Sequence, residues 1–226
     1  MDLNKFNWGN SNEWYRGVIG KEIFEEKIYE KILQVEEGDI IFDAGSSIGI
    51  FGYSVLNKNP SKIYCVEPSE DEIKTSKHNI PNEIGVFVNK GISNIDGKIE
   101  LKDVYENGQT NSSKFFEVSR FDTIISQYGI EKIDFLKTDC EGGEYDIFSI
   151  DNLIWLKQNM RKAVGEWHLS TPVDKQKFRE FRDVFLRVFP NHEVYSLDNV
   201  NIKWDLWNEH FIEYYKQVII HIDNRN

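Results

Sequence analysis

Ile40-Ile41-Phe42-Asp43-Ala44-Gly45-Ser46-Ser47-Ile48-Gly49 is an apolar run that ends in an acidic residue and a glycine-rich turn. It reads as a buried strand, followed by a helix over residues 48–57. Asp134-Phe135-Leu136-Lys137-Thr138-Asp139-Cys140-Glu141-Gly142-Gly143-Glu144 repeats that build further along the chain. In an open α/β sheet both segments finish at the carboxyl edge of the strands, where ligands bind. Together they nominate a nucleotide-like cofactor site with a reaction site beside it.

Lys62-Ile63-Tyr64-Cys65-Val66 makes a second strand, closed by Glu67-Pro68 because proline cannot donate to a ladder. A helix over 70–79 follows, with Ser69 as its cap and acidic residues in its first turn. Strands at 85–89 and 98–102 read as a hairpin through Asn94-Ile95-Asp96-Gly97. Residues 105–114 carry no period and read as a mobile loop that could serve as a lid, with Asn111-Ser112-Ser113 able to shape an adenine pocket. Beyond them come a helix at 119–129, a strand at 133–139, a helix at 143–150, a strand at 161–168 and a helix at 173–188. Strands near 193–198 and 211–222 finish the chain. Upstream, Ile23, Phe24, Ile28, Ile32 and Leu33 predict an amphipathic helix over 21–34. This alternation predicts one domain built on a mainly parallel sheet with helices on both faces.

The 226 residues suffice for one full core, and 15 Phe, 10 Tyr and 6 Trp can fill it. With 27 basic against 38 acidic side chains the net charge is −11, which disfavours general binding to a phosphate backbone and suits a small-molecule or glycan partner. Cys65 and Cys140 form no C-x-x-C pair, so no zinc site or disulfide framework is signalled and both read as reduced, buried thiols. No run approaches the roughly 18 apolar residues of a membrane span, and Met1 to Asn12 lacks the apolar core of a signal peptide. The expected location is cytoplasmic.

The first turn is sparser than the G-x-G-x-x-G of a dinucleotide site, and Asp43 would repel a diphosphate. An acidic residue there suits a cationic or zwitterionic ligand. Gly45 permits close backbone approach, and Gly49 lets the next helix pack. Glu67 ends strand two, 22 residues after Gly45, where a carboxylate can accept both ribose hydroxyls. Asp43, Gly45, Ser46, Gly49, Glu67 and Pro68 are therefore the candidate cofactor-binding residues. S-adenosylmethionine fits this set better than a nicotinamide dinucleotide, whose oxidoreductase or epimerase chemistry would need a third glycine and a proton relay. A non-catalytic cofactor-binding module is the other alternative.

Lys137-Thr138-Asp139-Cys140-Glu141-Gly142-Gly143-Glu144 resembles the K-x-D-x-E-G-x-E signature of FkbM-type methyltransferases. Further landmarks come in the same order: Lys21-Glu22-Ile23-Phe24 with Tyr29, Gly38-Asp39, Val66-Glu67-Pro68, Phe121-Asp122-Thr123-Ile124 and Gly165-Glu166-Trp167-His168. The resemblance spans about residues 15–170. It implies a three-layer Rossmann-like class I methyltransferase sheet, mainly parallel with an antiparallel last strand. It also implies methyl transfer from S-adenosylmethionine, usually to a hydroxyl oxygen of a sugar or secondary metabolite. On that basis residues 1–35 are an N-terminal helical segment packed on a methyltransferase domain of residues 36–226. Cys140, where the signature is often aliphatic, and the aromatic tail from Trp204 to Tyr215 are departures from it.

Asp139 and Glu141 should point toward the sulfonium end of the cofactor, with Asp139 serving both sites. Glu166 and His168, two apart on a strand, share a face that could converge on them. His168 is the first candidate for the base that takes the hydroxyl proton, and Asp139 the second. These four are the candidate catalytic residues. They could alternatively hold a divalent cation, although no metal is the favoured reading. Glu144 is expected to start the next helix, Lys137 to point away from the site, and Trp167 to lie in the core. Trp204, Trp207, Phe211, Tyr214 and Tyr215 are also expected to be core.

Overall fold

A computed structural model describes residues 5–104 and 110–225. The helices are α1 (Glu13–Gly20), α2 (Ile50–Ser54), α3 (Glu70–Asn79), α4 (Phe121–Gln127), α5 (Glu144–Ile147), α6 (Leu153–Asn159), α7 (Pro172–Glu180), α8 (Leu186–Val188) and α9 (Glu209–Tyr214). The strands are β1 (Ile40–Ala44), β2 (Lys62–Val66), β3 (Gly85–Val88), β4 (Gly91–Ile92), β5 (Gly97–Val104), β6 (Thr110–Ser119), β7 (Ile133–Thr138), β8 (Met160–His168), β9 (His192–Tyr195) and β10 (Gln217–Asp223).

Seven strands form the main sheet in the order β3-β2-β1-β7-β8-β10-β9, while β4-β6-β5 make a smaller one. Pairing is parallel from β3 to β8, and β10 runs antiparallel to both β8 and β9. This is the expected α/β, three-layer Rossmann-like sheet with an antiparallel last strand. Side chains alternate across it with period two. Phe42, Leu136, Ala163 and Trp167 enter one core cluster, and Ile41, Phe135, Val164 and Ile219 the other. Phe6, Ile23, Tyr29, Leu33 and Val35 join the second cluster, so the N-terminal segment packs directly against that face.

Several local expectations change. The predicted helix over 21–34 is instead α1, capped by Asn12 and continued by a π-helical turn at Lys21–Glu26. It stops at Lys27, whose φ of 52° is left-handed, and only a 3-10 turn at Ile28–Glu30 follows. Ile23, Tyr29 and Leu33 bury against the sheet without needing a continuous helix, so packing overrides the periodicity. The hairpin between 85–89 and 98–102 does not form, because β3 stays in the main sheet and β5 pairs with β6. Asp96 ties the intervening turn elsewhere, accepting from the Ser119 hydroxyl, from Arg120 N at 3.1 Å and from Thr123 Oγ1 at 2.9 Å. Of the expected lid, residues 110–114 belong to β6, and 105–109 lie outside the described residues. The last predicted strand splits into α9, capped by Asn208, and β10. In the aromatic tail Phe211 is core as expected, but Trp204 and Tyr214 are 80% and 79% exposed and Trp207 is also exposed.

Candidate active site

β1 and β7 end side by side, Ala44 opposite Thr138, and their following turns meet in near contact. Gly45 has φ +72°, and a Cβ there would fall 1.8 Å from the Asp139 carbonyl oxygen, so this crossing admits only glycine. The Gly45 and Ser46 amides both donate to Val66 O, at 3.0 and 3.1 Å, pulling the turn across the end of β2. The depression above is a cavity of about 690 Å³. Gly45, Glu67, Pro68, Asp139, Glu141 and Glu166 line it, while Asp43, Ser46, Gly49 and His168 do not. Ser46 is buried beneath the turn, and Gly49 opens α2, where a Cβ would fall 2.6 Å from Ser76 Oγ of α3.

Glu67 is buried and accepts from Ser69 N at 2.9 Å and Ser47 N at 3.1 Å. Burial, helped by the Glu72 charge, pushes its carboxyl up to about 7 against those two N–H groups. Each carboxylate oxygen thus accepts one N–H and keeps a further acceptor site.

Asp43 does not face the cavity, contrary to the expectation that its charge meets the ligand. It is fully buried with its carboxylate 3.2 Å from Lys137 Nζ. Lys137 in turn points toward the site, the reverse of what was expected, and lines the cavity. Its ammonium donates to Gly45 O at 2.7 Å and sits 5.3 Å from the Tyr29 ring centroid. Burial alone would lower it, but the charges of Asp43 and Asp139 raise it to about 12, so Lys137 stays charged. The strand-end charges therefore hold the turn together.

At the other end of the cavity Tyr29 Oη lies 2.9 Å from Asp139 Oδ2 and 3.1 Å from Glu166 Oε1. Gln217 Nε2 donates to Glu166 Oε2 at 2.9 Å. Burial and the Asp139 charge raise the Glu166 carboxyl to about 7. His168 pairs with Glu144, not with Glu166: its Nδ1 is 3.0 Å from Glu144 Oε1, and its Nε2 is 3.6 Å from Glu141 Oε2. Burial would lower the imidazole, yet the Glu144 hydrogen bond and the charges of Glu144, Glu141 and Asp139 raise it to about 9. Glu144 starts α5 as expected, and its other oxygen accepts from Gly142 N at 2.8 Å. Asp139, Glu141 and His168 come within 4.8 Å of one another, whereas Glu166 is outside that group.

Tyr15, Tyr29 and Lys137 are site residues that the sequence reading assigned no part. Tyr15 Oη is 2.9 Å from Ser47 Oγ and brings α1 over the glycine turn. The landmark position of Tyr29 between two charged stretches was the one available signal, and it reads equally well as core.

A family model described as "Methyltransferase FkbM domain" matches residues 43–196. No curated protein sequence matches the chain. Among solved structures, an rRNA methylase from Streptococcus thermophilus superposes with a TM-score of 0.50 at 9% identity, covering 85% of this chain and 90% of that one. Aeropyrum pernix fibrillarin with natively bound S-adenosylmethionine gives 0.45 at 11% identity, over 88% of this chain and 74% of that one. At 9% identity the likeness to the rRNA methylase concerns the fold alone.

Proposed function

Because the chain belongs to the FkbM family of S-adenosylmethionine-dependent methyltransferases, we propose that its acceptor is a hydroxyl on a neutral, polyhydroxylated molecule, a sugar or glycosylated metabolite. The charge of the cavity wall carries this reading. Among the described residues Glu22, Glu67, Glu72, Asp139, Glu141, Asp146, Glu166 and Asp174 line it, against two cations, Lys137 and Lys177. Both cations are already matched, Lys137 by Asp43 at 3.2 Å and Lys177 by Asp146 at 3.5 Å. An anionic acceptor would enter against uncompensated negative charge, whereas hydroxyl groups would find acceptors.

The residues also fit the cofactor. The Gly45 turn gives close backbone approach, Glu67 keeps acceptor sites beyond its two N–H bonds that a ribose diol can fill, and the acidic wall suits a cation. S-adenosylmethionine, when bound, supplies an electrophilic methyl group on a positively charged sulfur. Asp139, on the wall and held by Tyr29, takes the hydroxyl proton of the acceptor. His168 is charged at neutral pH and flanked by Glu144 and Glu141, so it anchors the 139–144 turn instead of acting as the base.

Incubation with methyl-labelled S-adenosylmethionine and separate neutral oligosaccharide, nucleoside-diphosphate sugar and structured RNA acceptors tests the proposal. Label is expected in the neutral oligosaccharide, and label in the RNA alone would overturn it. A second expectation concerns pH. Glu67 must be ionised to accept the ribose hydroxyls, so with a carboxyl at about 7 the cofactor affinity should rise with pH. At pH 6 it should be roughly tenfold below its high-pH value. Titration calorimetry at pH 6 and 8 measures this, and Glu67→Gln should flatten the dependence. In the ligand-free protein the sign is opposite. A carboxyl raised from 4.5 to about 7 contributes stability below 4.5 that is lost as pH rises through 7.

A further inference from the structure

We infer that Tyr29 is a proton relay between Asp139 and Glu166. A phenol carries one hydrogen, yet Tyr29 Oη stands 2.9 Å from one carboxylate oxygen and 3.1 Å from another. Two ionised carboxylates cannot both accept that hydrogen, and their mutual repulsion would push them apart. The chain of three groups is satisfied once Asp139 takes up one further proton, which the phenol can then hand on to Glu166. On Glu166 its place is Oε1, because Oε2 already accepts from Gln217 at 2.9 Å. That is the oxygen facing Tyr29.

The phenol is held firmly enough to serve both ends. Tyr29 is buried, its ring stands edge-on to Phe51 at 5.8 Å, and the Lys137 ammonium lies over its face at 5.3 Å. The left-handed break at Lys27 and the single turn at Ile28–Glu30 deliver it there. Burial and the two carboxylates keep the phenol well above its ordinary range, so a phenolate does not accumulate and both hydrogens move together.

The transfer starts with Glu166 ionised and Asp139 holding the proton taken from the acceptor. The bond from Asp139 Oδ2 to the acquired hydrogen breaks as one forms at Tyr29 Oη, while the original phenol hydrogen leaves for Glu166 Oε1. Tyr29 ends unchanged, Asp139 regains its charge, and Glu166 holds the proton on the cavity wall, where water can take it after product leaves. Lys137 from β7 and His168 from β8 favour the ionised Glu166, while Asp139 opposes it. Glu22 of the π-helical turn feels the Asp139 charge, and Glu141 from the turn after β7 flanks His168.

Use of the relay in turnover rests on the proposed function, because it takes Asp139 as the base; the hydrogen-bonded link through Tyr29 does not. The test is therefore made first on the ligand-free protein, by carbon NMR titration of labelled carboxyl groups in wild type, Tyr29→Phe and Glu166→Gln. In wild type the Glu166 resonance should carry the hydrogen bond from Tyr29 as well as the Asp139 charge, and Tyr29→Phe should shift its titration curve by removing the first while leaving the second. Identical curves in Tyr29→Phe would overturn the relay whatever the protein methylates. In turnover, both variants should lose roughly tenfold or more in kcat, part of the 10² to 10⁴ that a positioned base supplies. The double variant should be no slower than either single one. Proton inventory in mixed H₂O and D₂O should change from two protons to one in Tyr29→Phe, and an unaltered inventory and pH profile would overturn its part in turnover. S-adenosylmethionine titrated into wild type separately reports whether the cofactor reading stands.

Discussion

Lys137→Met should destabilise the protein by about 3 to 5 kcal/mol, the usual cost of removing one partner from a buried ion pair. Asp43 is fully buried and its one cationic partner among the described residues is the Lys137 ammonium at 3.2 Å. The same ammonium ties down the Gly45 carbonyl at 2.7 Å, so the glycine turn loosens as well. For a chain of this size the melting temperature should fall by roughly 10 °C or more. Burial raises the Asp43 carboxyl, and without the lysine it should bind a proton in the folded state. A folded-state value above the unfolded one makes the stability of the variant fall as pH rises, so the deficit should be larger at pH 8 than at pH 5. Denaturant unfolding measures both, and Asp43→Leu in the Lys137→Met background should recover much of the loss. A single variant within about 1 kcal/mol of wild type would remove the pair from its structural role.

Asp139→Asn should lower kcat by about 10² to 10⁴ while changing S-adenosylmethionine affinity little. The amide keeps an oxygen for Tyr29 to donate to and nearly the same volume, so the turn should persist. What it cannot do is take a proton. Glu141→Gln, at a side chain 86% exposed, should cost far less. Single-turnover rates with calorimetry separate the chemical step from binding, and an Asp139→Asn rate above a tenth of wild type would exclude Asp139 as the base. His168→Asn should show its effect in thermal stability more than in kcat.

Much of the scaffold was legible because its signals are local. The runs at 40–44, 62–66 and 133–138 are apolar strands closed by glycine or proline, and Ser69 caps α3 by accepting from Glu72 N. The turn at Gly45 and the acidic end at Glu67 follow from the same punctuation, and both line the cavity. Lys137 was misplaced because β7 is buried on both faces, which leaves alternation unable to say which face is the site. The Phe211 segment was misread because a short apolar run fits strand and helix alike. For β5, the partner is β6, reached by an antiparallel ladder that the turn signal at residues 94–97 does not contain.

By itself the sequence determined the alternating order of strands and helices, the positions of the two carboxyl-edge turns and the family. Each of these depends on residues within a few positions of one another, whose backbone limits and apolar periods act locally. Only the tertiary structure decided which charges meet. Tyr29 reaches Asp139 across 110 residues and Glu166 across 137, and Glu144 reaches His168 across 24. Pair energies and proton positions are set by distances of about 3 Å and by exclusion of water, and both arise only after the sheet and the N-terminal segment have packed.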